Sequence, residues 1–158
     1  ANCAKWLAKI VLLKTPFEGH YMDRVYRVFQ KGQDPRTGRV VTQIPLKSFF
    51  TQPLPGQRLR PGKNVLLGAA YGGERELAEI EISTDGGRSW QKGEWIGPRE
   101  RFAWRQWQFV WMAPPGDFLL LVRAADVAGE VQPMQAAWNV LGYENNGVLE
   151  HSLAVRVE

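Results

Sequence analysis

The sequence predicts an all-β fold, an antiparallel β-sandwich of about seven strands. Apolar and polar residues alternate at a period of two in several segments, as expected for strands with one buried face. Turn residues such as glycine, proline and aspartate recur about every ten residues, a spacing typical of sandwiches. The chain of 158 residues is long enough for one domain with a hydrophobic core. We therefore expect residues 1–158 to form a single domain, with an arm and loop in residues 1–40.

The clearest strand covers residues 78–82, where alanine and two isoleucines alternate with Glu79 and Glu81. The turn Asp85–Gly87 follows, because glycine accepts a positive φ without a steric penalty. A return strand at Ser89–Gln91 would then pair with Ile80–Ser83. This part of the sequence predicts a β-hairpin.

Aromatic residues mark the next strand. Phe102 and Trp104 lie at even positions, whereas the aromatic residues of 107–111 lie at odd positions. A strand changes face only by an extra residue, so we expect a β-bulge near Arg105–Gln106. The strand-like positions of Trp107, Trp111 and Trp138 predict that these three rings fill the core.

Proline and glycine at 114–116 separate this strand from Phe118–Ala124, whose continuous apolar character suits a central strand buried on both faces. The last predicted strand is Ser152–Val157, with its apolar residues at alternate positions pointing inward. Asn64–Tyr71 is a further strand, and Trp6–Leu13 is either a strand or a helix. Exposed loops are expected at Gln30–Arg39 and Thr51–Lys63.

Charge and composition exclude several classes of function. The net charge is +4, but the 20 basic residues are interleaved with 16 acidic ones, and no basic run of a nucleic-acid-binding protein is present. The apolar run Phe118–Val122 is far too short to cross a membrane. With Cys3 as its single cysteine the chain forms no intrachain disulfide, and the sequence leaves open whether this soluble protein is periplasmic or cytoplasmic.

No pattern of catalytic residues stands out. His20 and His151 are far apart in sequence and neither has a paired nucleophile. Glu79 and Glu81 are best explained as solvated charges on the outer side of a strand rather than as a hydrolase pair. No histidine or cysteine cluster has the spacing of a metal site. We expect no enzymatic activity from this chain alone.

Three segments carry a resemblance to a known family. Residues 123–146 read R-A-A-D, then G-E-V-Q-P, then W-N-V-L-G followed by an asparagine pair. The hairpin at 81–90 reads E-I-S-T-D-G-G-R-S-W, and residues 5–27 contain K-W-L-A-K-I, P-F-E-G and Y-R. In this order and spacing they resemble the C-terminal domain of the sulfite-oxidase family of molybdenum-cofactor oxidoreductases. The likeness extends from residue 5 to residue 157.

The resemblance implies an immunoglobulin-like sandwich that pairs two enzyme subunits into a homodimer. It also implies that the domain walls the active site and follows a molybdenum-cofactor domain, which would hold the molybdopterin. No cofactor or metal ligand is expected in this chain, and Cys3 is not taken as one. The alternative is a free-standing β-sandwich module that binds carbohydrate or protein through exposed aromatic rings.

The resemblance also suggests functional residues. The region after the central strand faces the active-site entrance in the family, which makes Gln132, Asn139 and Leu141 candidates for its rim. Animal members have an arginine that holds the anionic substrate where this chain has Leu141, so the resemblance does not extend to sulfite as a substrate. Trp95 and Trp104 flank the polar loop 97–101 and are candidates for a contact surface.

Overall fold

The computed structural model describes Trp6 and residues 8–158 in two compact units. The first unit comprises the described residues up to Val41 together with Asn139–Tyr143. The second comprises Thr42–Trp138 and Glu144–Glu158.

The first unit has little regular structure. A π-helical turn at Tyr21–Val25 precedes two short strands, β1 (Arg27–Val28) and β2 (Arg39–Val40), which pair antiparallel. Between them lies the 3-10 turn Pro35–Thr37. The side chain of the preceding aspartate caps its start by accepting a backbone hydrogen bond. The predicted loop at Gln30–Arg39 is confirmed up to the residue that begins β2.

The strand or helix predicted at Trp6–Leu13 is wrong for the residues that the structure describes there. Trp6 and residues 8–13 form neither, and Leu7 lies outside the described residues. The apolar side chains of this stretch are exposed, for example Ile10 and Leu12. Without a buried face, a short apolar run gains little from regular backbone structure.

The second unit is a β-sandwich. Its strands are β3 (Lys47–Gln52), β4 (Arg58–Leu59), β5 (Gly62–Tyr71), β6 (Leu77–Ser83), β7 (Gln91–Lys92), β8 (Glu94–Ile96), β9 (Arg105–Ala113), β10 (Gly116–Asp126) and β11 (Leu153–Val157). One sheet has four strands in the order β3-β5-β9-β8, and the other has five in the order β4-β11-β10-β6-β7. A 3-10 turn at Leu149–His151 leads into β11.

The predicted fold class is confirmed. Seven strands of this unit have three or more residues, and the strand pairs are antiparallel except for the short parallel pair β4–β11. β4 lies within the predicted loop Thr51–Lys63, which is therefore not wholly irregular. The predicted strand Asn64–Tyr71 corresponds to β5.

The core lies between the two sheets. In β6 the isoleucines Ile80 and Ile82 are buried while Glu79 is exposed, as predicted. In β11 the alternation of buried and exposed residues places Leu153, Val155 and Val157 in the core, also as predicted.

The central position of β10 is confirmed, because it pairs with both β6 and β11. Its residues Leu120, Leu121 and Val122 are buried in succession, which requires cover on both faces. The prediction fails at the neighbouring Leu119, which is 39% exposed because the outer face of the sheet is open there.

Trp107 is the largest fully buried side chain, and its indole explains a glycine in the neighbouring strand. A Cβ at Gly68 would lie 2.1 Å from the Trp107 ring, so only glycine allows this close approach. Trp111 is also buried, with its ring 5.0 Å from that of Phe118. The predicted core position of Trp138 is wrong, since Trp138 follows β10 in an irregular segment and is 63% exposed.

The predicted bulge near Arg105–Gln106 is also wrong. β9 begins at Arg105 and pairs with β5 in continuous register. Phe102 and Trp104 precede the strand in a turn where Phe102 has a φ of +60°. The change of face therefore occurs in this turn, before the strand begins. Register shifts occur instead in β3, between Phe50 and Gln52, and at the end of β10.

The predicted hairpin has a longer turn than expected. The return strand β7 begins at Gln91, two residues after the predicted start. The Asp85 carboxylate explains the difference, because it accepts hydrogen bonds from the backbone N–H groups of Arg88 and Ser89 and from the Ser89 hydroxyl. These hydrogen bonds, with Ser89 foremost, lower the pKa of Asp85. They hold the chain in a compact loop before pairing starts.

The core position of β10 gives a stability prediction. Leu120→Ala should lower the free energy of unfolding by about 2–5 kcal/mol, because it leaves a cavity between the sheets. Leu119→Ala, one residue away and 39% exposed, is the matched control and should change it by less than about 1 kcal/mol. Urea denaturation of both variants provides the measurement. Equal losses would contradict the placement of the core.

Candidate functional site

The segment after β10 carries most of the residues that the sequence singled out. It opens with a turn in which the buried Asp126 carboxylate accepts hydrogen bonds from the N–H groups of Ala128 and Glu130, at 3.0 and 2.9 Å. Gly129 has a φ of +84°, which favours glycine at this position. Arg75 forms an ion pair with Glu130 at 2.6 Å. The chain direction after the central strand is thus fixed by local hydrogen bonds.

Gln132 lies at the centre of a buried hydrogen-bond network. Its side-chain oxygen accepts a hydrogen bond of 2.6 Å from the Ser48 hydroxyl of β3. Its side-chain nitrogen donates to the carbonyl of Asn146 at 2.8 Å, and its backbone N–H donates to the carbonyl of Ala124 at 2.9 Å. Gln132 is almost fully buried, so its amide holds the segment against the sandwich.

The returning part of the segment, before β11, is attached by similar contacts. The Asn146 side chain donates to the carbonyl of Leu46 at 3.0 Å, and the Lys47 ammonium donates to the carbonyl of Asn145 at 3.1 Å. Burial and the nearby charge of Lys47 lower the pKa of His151. The two hydrogen bonds tie Asn145 and Asn146 to β3 and the residue before it.

Asn139 and Leu141 belong to the first unit, whereas Gln132 belongs to the second. The Asn139 side chain closes a turn with both of its polar atoms. Its nitrogen donates to the carbonyl of Tyr143 at 2.7 Å, and its oxygen accepts from the Tyr143 N–H at 3.0 Å. Leu141 lies within this turn and is partly exposed. Asn139 therefore acts as a turn former that presents Leu141.

The two tryptophans predicted for a contact surface lie in different surroundings. Trp95 packs against the core, and its ring nitrogen donates to the carbonyl of Ala78 at 3.0 Å. The guanidinium of Arg105 lies over the Trp95 ring at 4.4 Å. Trp104 instead has an exposed ring. The structure does not bring the two rings together on one surface.

A cleft that the sequence did not predict lies between residues 72–77 and residues 99–105. Its arginines are partly neutralised by neighbouring acids, since Arg99 forms an ion pair with Glu76 and Arg75 with Glu130. Burial and the nearby charge of Arg99 lower the pKa of Arg105. The cleft thus carries both signs of charge in close pairs.

Among the described residues, no group of three or more histidine, cysteine, aspartate or glutamate side chains could hold a metal ion. Cys3 lies outside the described part of the chain. In that same part, no helix is long and apolar enough to span a membrane.

Comparison with known proteins identifies the family. The family model of the Mo-co oxidoreductase dimerisation domain matches residues 38–156. The chain belongs to this family. The resemblance carried by the three sequence segments is thereby confirmed.

Sulfite oxidases are among the curated relatives of this Mo-co dimerisation domain. The chicken enzyme (Gallus gallus) is 30% identical over 155 residues, covering 90% of this chain and 34% of the relative. The human mitochondrial enzyme (Homo sapiens) is 30% identical over 160 residues, covering 92% and 29%. An NADPH nitrate reductase of Aspergillus niger is 28% identical, covering 90% and 21%. The chain thus spans between 21% and 34% of the length of these proteins.

A solved structure supports the fold. The sulfane dehydrogenase SoxCD from Paracoccus pantotrophus matches with a TM-score of 0.69 and 25% identity, covering 82% of this chain and 34% of that chain. The immunoglobulin-like sandwich implied by the sequence resemblance is thereby confirmed.

The Gln132 network gives a second stability prediction. Gln132→Met preserves the shape of the side chain but removes the amide that bonds Ser48 and Asn146, so the free energy of unfolding should fall by about 2–4 kcal/mol. Gln135→Ala, at an exposed position of the same segment, is the control and should change it by at most about 0.5 kcal/mol. Thermal and urea unfolding measure both. A Gln132→Met variant as stable as the parent would show that the network contributes nothing.

Proposed function

We propose that this domain joins two subunits of a molybdenum-cofactor oxidoreductase into a homodimer. The observation that carries the proposal is the match of the dimerisation-domain family over residues 38–156. The partners are then a second copy of the chain and the molybdenum-cofactor domain of the same polypeptide. An exposed apolar surface on the sandwich, including Val110 and Met112, supports a role in association.

The cofactor belongs to the preceding domain in this proposal. The described residues of this chain do not provide a ligand set that fits molybdenum, so no chemical step is assigned to them. Their contribution is structural. Gln132 and Asp126 fix the segment after β10 through buried hydrogen bonds, and a fixed segment is what a wall beside an active site requires.

We further propose that the turn Asn139–Tyr143 lies at the rim of the active-site entrance, with Leu141 facing the substrate. The hydrogen bonds from Asn139 make the turn rigid, and Leu141 is partly exposed within it. An apolar side chain at this position offers no hydrogen bond to an oxyanion. It suits a larger or less charged substrate than sulfite.

The alternative of a free-standing module for carbohydrate or protein has less support. Trp107 and Trp111 are buried, so their rings cannot contact a bound carbohydrate or protein. The exposed Trp104 is tilted by 43° against Tyr71 and lies edge-on to Phe49, whereas a sugar stacks on rings that present flat, accessible faces. These rings favour contact with a second subunit over a carbohydrate, and the family match over residues 38–156 favours an enzyme domain over a free-standing module.

The oligomeric state is the direct test of the first proposal. The full-length protein should have twice its subunit mass in light scattering at micromolar concentration, because obligate pairs remain associated in this range. Dilution should not change the mass until the dissociation constant is reached. A mass of one subunit throughout would contradict dimerisation.

The role of Leu141 is tested in the full-length enzyme. Leu141→Arg should lower the Michaelis constant for sulfite on the order of ten- to a hundredfold, because a hydrogen bond to a charged group contributes roughly 1.5–3 kcal/mol. Val140→Arg places the same charge one residue away and is the control. Steady-state kinetics with sulfite compare the two. An unchanged Michaelis constant for Leu141→Arg would show that this side chain does not face the substrate.

A further inference from the structure

The outer face of the four-stranded sheet carries a large apolar area although it faces solvent. Side chains on a strand alternate between the two faces, and the core takes Leu66 and Ala70 of β5 and Trp107 and Trp111 of β9. The residues at the alternate positions, such as Leu67 and Val110, point outward. We call this surface the β3–β8 face, and its apolar members are Phe49, Val65, Leu67, Ala69, Val110 and Met112.

The centre of the β3–β8 face is formed by a cross-strand pair of valines. Val65 and Val110 lie directly opposite each other in the β5–β9 register and are 45% and 49% exposed. Met112, in the next outward row beside Lys63, is 68% exposed. Two adjacent strands that leave aliphatic side chains in water lose the free energy that burial would provide. Such a surface marks a site of association.

Trp104 extends the same surface at one end. Its ring lies 5.3 Å from Phe49 of β3 and 5.1 Å from Tyr71 of β5, measured between ring centroids. Aromatic side chains are enriched at protein interfaces, where they supply large contact area with few rotatable bonds. The aromatic group and the aliphatic centre therefore form one continuous apolar face.

The outer face of the five-stranded sheet has the opposite character. Its charges are paired with one another: Arg123 with Glu81 at 2.7 Å, and Lys92 with Glu79 at 2.6 Å. The Arg123 guanidinium also covers the ring of Trp90 at 4.1 Å. A face whose charges are already paired gains little from a partner, because association would remove these pairs from water.

The area of the β3–β8 face is close to that of the smallest specific interfaces. Its strands have 6, 10, 9 and 3 residues, which at about 3.3 Å per residue and a strand spacing of about 4.8 Å give a flat area of roughly 440 Å². Two such faces amount to roughly 900 Å², and projecting side chains, with Trp104 beside the sheet, increase the accessible area further. Specific interfaces bury about 1,200–2,000 Å² in total. The face therefore supplies most of the area that a small dimer interface requires.

We propose that the β3–β8 face forms the two-fold interface with a second copy of this chain, with Val65 and Val110 at its centre. The proposal rests on the proposed dimerisation function and specifies the surface that performs it. In a two-fold interface the same patch meets itself, so apolar residues meet apolar residues without any need for complementary charge. The outward polar residues toward β8, which are Gln106 and the hydrogen-bonded pair Glu94–Gln108, and Lys63 near the start of β5 would form its rim.

The test uses single charge substitutions in the full-length protein. Val110→Glu places two uncompensated carboxylates in the interface, one from each subunit. It should weaken dimerisation on the order of a hundredfold in the dissociation constant. Met112→Glu, at a more exposed position of the same face, should act in the same direction and guards against misfolding of the first variant. Leu119→Glu, on the outer face of the five-stranded sheet, is the matched control and should leave the dimer unchanged.

Sedimentation velocity gives the dissociation constants, thermal unfolding shows that the variants are folded, and metal analysis gives the molybdenum content. Dissociation constants raised on the order of a hundredfold for folded Val110→Glu and Met112→Glu, with an unchanged constant for the control, support the proposal. If both variants dimerise as tightly as the parent, the β3–β8 face is not the interface, although the protein still dimerises. Intact dimers that lose molybdenum would overturn the proposal too, since the face would then pack on the cofactor domain. A monomeric parent protein would instead refute the proposed function itself.

Discussion

The side-chain amide of Gln132 connects parts of the domain that the sheets alone do not join. The amide oxygen accepts a hydrogen bond from Ser48 in the four-stranded sheet. The backbone N–H of Gln132 donates a hydrogen bond to Ala124 in the five-stranded sheet. Its amide nitrogen holds the carbonyl of Asn146, in the part of the segment that returns to β11. A buried amide without partners would cost several kilocalories per mole, so the segment has one favourable position. The network thus fixes where Gln132 and Asn146 lie on the sandwich.

Much of the sandwich follows from the sequence because burial on one face produces a period of two. Ile80 and Ile82 in β6 and the alternate residues of β11 lie in the core for this reason. The motif around residues 123–146 also identified the family, and with it the immunoglobulin-like fold. What the motif could not provide is the role of each residue in it. Gln132 and Asn139 have structural hydrogen bonds that account for their presence without a substrate.

The failures have physical causes. Trp138 lies in an irregular segment. The period-two alternation from which the burial of Trp107 was predicted therefore does not apply to Trp138. Aromatic parity indicated a bulge, but a turn with Phe102 at positive φ changes the direction of the chain before β9 begins. The β3–β8 face was not predicted because apolar residues on both sides of a strand indicate burial on both sides. The run Val65–Tyr71 has this pattern. One apolar side of this strand packs on the core, and the other belongs to the β3–β8 face, for which we propose a partner.

The two outer faces of the sandwich differ in character: one is suited to water and the other to a protein partner. The five-stranded sheet pairs its charges, for example Arg123 with Glu81, and remains compatible with water. The four-stranded sheet keeps aliphatic residues outside, and the core directly behind them holds their strands in position. Trp107 packs closely on Gly68, which fixes β9 against β5 and therefore fixes the spacing of the valine pair on the other side. A rigid interface loses less entropy on association than a mobile one, so the same tight packing that stabilises the core prepares the face for a partner.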